Sequence, residues 1–147
     1  MSDLPKVLLV EDNEDDYEAA VRSLKKNHFA NPIQWCKNGQ DGIDYLRHQS
    51  AYANNNDGVP GLILLDLNMP GIDGRGMLKL IKEDPKFCTI PVVVLTTSSD
   101  TKDVEQCYQL GANTYIQKPV SFEGLVEAIR TMKEYWFEIA LLPNAKH

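Results

Sequence analysis

Basic residues are in short supply. Lys and Arg number 15 against 21 Asp and Glu, which leaves a net charge of −6. Phosphate contacts need a basic face, so this balance argues against a nucleic-acid partner. It equally disfavours an anionic membrane surface. Long apolar runs are missing too: no stretch approaches the ~20 residues that a spanning helix requires. The opening Met1-Ser2-Asp3-Leu4-Pro5-Lys6 has no charged segment followed by an apolar one, so no signal peptide is expected. Cysteine is scarce as well. Cys36, Cys88 and Cys107 are odd in number and lack metal-ligand spacing, which predicts reduced thiols in a cytoplasmic protein.

What is present is an ordinary globular composition. The apolar fraction is 43% over 147 residues, enough for one domain with a core that needs no disulfide or metal staple. Short aliphatic runs alternate with helical patterns. Lys6 to Val10, Ile33 to Cys36, Leu62 to Asp66, Pro91 to Thr96 and Thr114 to Gln117 read as strands. Helices are expected from about Glu14 to Lys26, Gly39 to His48, Arg75 to Glu83 and Asp100 to Leu110. A last, long helix is capped by Ser121. Ser50 to Gly61 is polar and rich in Asn, Gly and Pro, hence a loop. Continuous Val, Ile and Leu runs imply strands covered on both faces. The expected fold is therefore α/β, a doubly wound five-stranded parallel sheet with helices on both faces.

Ligand sites in such sheets lie beyond the carboxyl ends of the strands. There the sequence places Glu11-Asp12, Asp66 and Thr96, with Lys118-Pro119 following the last strand. Three carboxylates converging without a charge partner repel one another. A hard divalent cation such as Mg²⁺ relieves that repulsion, and such a site suits phosphoryl transfer, with an aspartate as nucleophile. Glu14, Asp15 and Asp16 extend the acidic run but fit the first turn of a helix, where negative charge is favoured. His28, His48 and His147 stand in polar or terminal stretches and are expected to be solvated.

These strand-end residues carry a resemblance. Glu11-Asp12-Asn13, Leu64-Leu65-Asp66-Leu67-Asn68-Met69-Pro70-Gly71, Asp73-Gly74, Leu95-Thr96-Thr97 and Lys118-Pro119 are similar to the motifs of response-regulator receiver domains, in the same order, over about Lys6 to Lys133. The resemblance implies a flavodoxin-like sheet of order 2-1-3-4-5. It makes Asp66 the phosphoacceptor. Mg²⁺ would be held by Asp12 and Asp66, by Glu11 directly or through water, and by the backbone carbonyl of Asn68. Thr96 would bond the phosphoryl group, Lys118 would pair with Asp66 and then with its phosphate, and Tyr115 would be the aromatic switch. The bond before Pro119 would be cis. Thr97 departs from the Ala, Gly or Ser more usual there, and its methyl would narrow access to Asp66.

The partner implied is a sensor histidine kinase, which passes a phosphoryl group from a phosphohistidine. The Ser50–Gly61 loop, Leu95-Thr96-Thr97-Ser98 and the ending Tyr135-Trp136-Phe137-Glu138 with Leu142-Pro143 resemble the small regulators paired with bacterial phytochromes. On that resemblance the chain is a single receiver domain over residues 1–147 with a helical extension from about 134 to 143. No output domain is expected, so signalling is expected to run through protein contacts or onward transfer to a histidine phosphotransfer protein. An FMN-binding flavodoxin shares the sheet order, but Glu11-Asp12-Asn13-Glu14 would repel the cofactor's phosphate. A haloacid-type phosphatase wants Asp-x-Asp where this chain has Asp66-Leu67-Asn68. Tyr135, Trp136, Phe137 and Ile139 form an apolar cluster beyond what a small core needs, and a homodimer through them is expected.

Overall fold

The three central strands form on unbroken aliphatic runs and the two edge strands on mixed polar and apolar segments. In the computed structural model, which describes residues 4–140 and 142, they are β1 (Val7–Val10), β2 (Ile33–Cys36), β3 (Leu62–Leu65), β4 (Val92–Thr96) and β5 (Thr114–Gln117). All pair in parallel, in the order β2-β1-β3-β4-β5, as expected. Side chains alternate across the sheet and build two cores. Leu8, Val10, Ile63, Leu65, Val92 and Val94 point to one face, where Ile43, Leu46, Met77, Leu78, Ile81 and Cys107 cover them. Val7, Leu9, Leu62, Leu64, Val93 and Leu95 point to the other, under Ala20, Leu24, Ile129 and Met132. Burying each Leu or Ile contributes about 1.5–3 kcal/mol before entropy is set against it.

The covering helices are α1 (Glu14–Lys26), α2 (Gly39–Arg47), α3 (Gly74–Glu83), α4 (Thr101–Gln109) and α5 (Phe122–Lys133). Each starts on a side chain that accepts a backbone N–H of its first turn: Asn13, Asn38, Asp73, Asp100 and Ser121. Such caps contribute about 1 kcal/mol each and fix where every strand-to-helix loop ends. Gly74 opens α3 because nothing larger fits. A Cβ there would lie 2.3 Å from the Asp66 carbonyl oxygen and 2.7 Å from Leu67 Cα. The start of α3 is thereby pressed against the backbone that carries Asp66.

Two segments differ from expectation. The 50–61 stretch contains a 3-10 turn (Ser50–Tyr52) and is strapped down. The Asp57 carboxylate accepts from Lys6 and from the Tyr45 hydroxyl, and His48 Nδ1 lies 2.6 Å from the Asn55 carbonyl oxygen. His48 is thus half-buried and bonded rather than solvated, because it ends α2 in the left-handed region and turns its ring toward the loop. After α5 the chain continues as a π-helical turn (Glu134–Ile139), closed by Ala140 N–H donating to the Tyr135 carbonyl at 2.7 Å. Trp136 and Phe137 rest against their own core, Phe137 edge-on to Phe29, and Leu142 is buried. Tyr135 and Ile139 are 51% and 71% exposed. The helical extension is expected to reach about 143; residues 141 and 143–147, with His147 among them, lie outside the described residues.

Candidate functional site

The acidic loop after β1 is fixed from below and from the side. Glu11 N–H donates to the Cys36 carbonyl at 3.0 Å, which extends the β1–β2 pairing by one residue. Asp66 N–H likewise donates to the Val10 carbonyl at 3.1 Å. The two carboxylates are therefore held side by side at the carboxyl edge of adjacent strands. Among the described residues, Glu11, Asp12 and Asp66 are the acidic side chains that converge, with one oxygen from each lying within 4.8 Å of the others. Glu11 is 4% exposed and Asp66 9%, while Asp12 reaches solvent.

Lys118 enters from the β5–α5 loop. Its Nζ lies 2.7 Å from Glu11 Oε1, 3.4 Å from Asp16 Oδ2 and 4.0 Å from Asp66 Oδ1. Its direct hydrogen-bonded partner in the buried pocket is thus Glu11. Asp16 also joins the site, besides lying in the first turn of α1. The Lys118–Pro119 bond, expected to be cis, is trans, as are all peptide bonds among the described residues. The trans isomer is the lower in energy for X-Pro by about 0.5–1 kcal/mol, and Lys118 reaches the pocket from it.

Thr96 is fully buried; its Oγ1 is the one buried side-chain polar atom among the described residues with no hydrogen-bond partner of good geometry, although it lies near enough to Asp66 to help stabilise that carboxylate. Such an orphan is costly and calls for an explanation. A phosphoryl oxygen arriving on the neighbouring Asp66 carboxyl would give this hydroxyl an acceptor. Thr97 and Asn68 are exposed at the ends of β4 and β3. Tyr115 is half-buried, and its hydroxyl donates to the Ser98 carbonyl at 2.8 Å. Ser98 Oγ in turn donates to Asp103 at 2.7 Å, and Asp103 is ion-paired with Arg75 of α3. No sequence spacing announces this Arg75–Asp103–Ser98 chain, because α3 and α4 meet only in the folded sheet.

Burial dominates the titration of the pocket. It pushes the Glu11 carboxyl up to about 7, against the opposing pull of the Lys118 hydrogen bond. It raises Asp66 as well, with the Lys118 charge opposing. Burial thus disfavours the ionised carboxylates even with Lys118 in place. A cluster of hard oxygen donors in that condition fits a hard divalent cation.

These raised carboxyls set the sign of the pH dependence. A carboxyl whose folded pKa exceeds its unfolded value binds more protons when folded, so its contribution is present in acid and lost as pH rises through the folded pKa. Without divalent cation, stability should fall between pH 5 and 8 by on the order of 1–3 kcal/mol. Saturating Mg²⁺ should abolish the fall, because it favours the charged carboxylates. Thermal melts across that range, with EDTA and with Mg²⁺, check both arms. In Glu11→Gln the EDTA curve should flatten.

This arrangement has close parallels among known proteins. The family profile described as response regulator receiver domain matches residues 7–130. The chain belongs to the response-regulator receiver family. Response regulator Rcp1 of Synechocystis sp. is 38% identical over 145 residues, spanning 98% of this chain and 97% of that protein. The probable methanogenesis regulatory protein FilR2 of Methanothrix harundinacea is also 38% identical, over 88% of this chain and 82% of its own length. Among solved structures, the phosphorylated cyanobacterial phytochrome response regulator RcpA superimposes with a TM-score of 0.88 at 38% identity, covering 96% of this chain and 99% of that one. A Mn²⁺-bound form of Rcp1 gives 0.86 at 36% identity, covering 95% and 99%. The receiver fold and its flavodoxin-like sheet order are thereby established, as is the kinship with phytochrome response regulators. No helix among the described residues is long and apolar enough to cross a membrane.

Proposed function

We propose that this protein is a stand-alone phosphoacceptor of a two-component system, taking a phosphoryl group from a sensor histidine kinase onto Asp66. The observation that carries the proposal is the convergence of Glu11, Asp12 and Asp66 around a single ammonium, Lys118, beside an orphaned buried hydroxyl, Thr96. In the transfer an Asp66 carboxylate oxygen attacks phosphorus. The P–N bond of the phosphohistidine breaks, and the freed imidazole nitrogen takes up a proton. Glu11, Asp12, Asp66 and the Asn68 carbonyl would hold Mg²⁺, which when bound draws charge from the phosphoryl oxygens.

Lys118 has a second task in this scheme. It sits 4.0 Å from Asp66 but bonds Glu11. Once Asp66 carries a phosphoryl group, the larger charge would draw the ammonium away from Glu11. Thr96 would donate its hydroxyl to a phosphoryl oxygen. Movement at Thr96 and in the following loop would then be felt by Tyr115 through the Ser98 carbonyl. Thr97, exposed at the mouth, would tune the rates of transfer and hydrolysis.

Kinship with the phytochrome response regulator RcpA supports a phytochrome as the kinase, a cytoplasmic setting and signalling by protein contacts. The equal identity to a methanogenesis regulator shows that identity alone does not choose the pathway. Onward transfer to a histidine phosphotransfer protein is the alternative output. Exposed Tyr135, which lines an apolar groove with Ile116, Met132 and Trp136, and exposed Ile139 support a homodimer through the α5–β5 face.

The test is phosphotransfer profiling. Each histidine kinase of the same organism, autophosphorylated with labelled ATP, is mixed briefly with the protein and Mg²⁺. One kinase should transfer far faster than the rest. A chain that accepts label from none of them, nor from acetyl phosphate, would refute the proposal.

A further inference from the structure

The acidic loop is bracketed by an aromatic pair that lies outside the family-matched site residues. Trp35 stands at the exit of the edge strand β2, in register with Leu9, two residues before Glu11. Its indole Nε1–H donates to the Glu11 backbone carbonyl at 2.8 Å. Its ring lies flat on Tyr17, with centroids 3.9 Å apart and planes 8° from parallel. Lys37 Nζ sits 5.0 Å from the indole centroid. Both Trp35 and Tyr17 are half-buried.

The geometry assigns Trp35 a positioning role: it sets the direction of the Glu11–Asp12 carboxylates toward a divalent cation. Three facts carry this. The peptide plane whose oxygen accepts the indole N–H is the plane that bears the Asp12 N–H, so fixing one end fixes the other. The Glu11 N–H is already held by the Cys36 carbonyl at 3.0 Å, so the backbone of Glu11 is tied to β2 on both sides. Tyr17 belongs to the first turn of α1, its N–H donating to the Asn13 carbonyl at 2.9 Å. The stack therefore ties the far end of the 11–13 loop to the same indole. An aromatic that merely covered an edge strand would need none of this. A hydrogen bond from a restrained ring to the backbone of a ligand residue orients that ligand, and outer partners of this kind matter to metal affinity by about 10–100-fold.

This inference rests on the proposed metal site, and the experiment separates the two. Mg²⁺ and Mn²⁺ are titrated calorimetrically into wild type, Trp35→Phe and Tyr17→Leu, without phosphodonor. Melts in EDTA and exchange rates of the Glu11, Asp12 and Asn13 amides are measured beside them. Trp35→Phe keeps a stacking ring and loses the N–H. It should bind either ion about tenfold more weakly, exchange the loop amides faster and melt within a few degrees of wild type in EDTA. Tyr17→Leu leaves the indole N–H in place but frees the ring to turn, and should move affinity and exchange in the same direction by less. It carries the test should Trp35→Phe fail to fold. A lower melting point with unchanged affinity and exchange would make Trp35 a structural cover and overturn the inference. Wild type that binds neither ion overturns the metal site itself, and the positioning role with it.

Discussion

Asp66→Asn should gain no phosphoryl group when incubated with Mg²⁺ and acetyl phosphate, while wild type gains one by intact mass. The expected effect is complete, because the other nearby carboxylates are poorly placed to replace it. Glu11 already accepts from Lys118 at 2.7 Å and from the Asn13 N–H at 3.3 Å, and it would also serve Mg²⁺, so it is poorly placed to attack phosphorus. Asp12 is exposed, where water competes for the acyl phosphate. Of the three, Asp66 combines slight exposure with an ammonium at 4.0 Å and a neighbouring orphaned hydroxyl. The substitution has a second consequence that separates chemistry from folding. Asp66 raises the Glu11 carboxyl by its charge, although burial is the larger cause. An amide removes that repulsion, so Asp66→Asn should be no less stable than wild type in EDTA. Equal labelling of mutant and wild type would end the assignment.

The fold is legible because its three central strands are nearly pure Val, Ile and Leu, and their ends are marked by polar or acidic residues. Asp66 after Leu62–Leu65 is the clearest case: a carboxylate at the end of a fully buried run has to serve a site. The acidic trio and Lys118 are legible for the same reason. Three features are not. Resemblance pairs Lys118 with Asp66, and that ion pair is present at 4.0 Å, but the shorter contact, 2.7 Å to Glu11, depends on side-chain placement that no sequence spacing encodes. Trp35 reads as an ordinary strand aromatic, since nothing in its own segment shows that its N–H faces the next strand's loop. The tail reads as one apolar block, although the spacing of Trp136 from Ile129 and Met132 already suits a core-facing stripe. Its π-helical turn divides it instead, sending Trp136 and Phe137 inward and Tyr135 and Ile139 outward.

That division sets what truncation should do. Removing everything after Lys133 takes away Trp136 and Phe137, which pack on the core beneath α1 and α5, and the Phe137–Phe29 edge contact at 5.3 Å. It also removes Leu142, whose Cδ1 lies close against Gly61. Deleting a large buried aromatic costs about 3–5 kcal/mol where the site cannot collapse. These two rings are half-buried, so the loss for the pair should be of about that size rather than double it. The truncated chain should unfold at clearly lower denaturant concentration than wild type, and a chain of unchanged midpoint would contradict the packing. The proposed dimer needs a gentler probe. Tyr135 and Ile139 contribute little to the core, so Ile139→Glu should leave the denaturation midpoint nearly unchanged. A charge at the centre of an apolar contact between two copies is left unpaired in both, which weakens association by several kcal/mol. Light scattering at tens of micromolar should then report a dimer for wild type and a monomer for Ile139→Glu. A monomeric wild type, with and without phosphodonor, would remove the dimer; a dimeric Ile139→Glu would move the interface elsewhere on the surface.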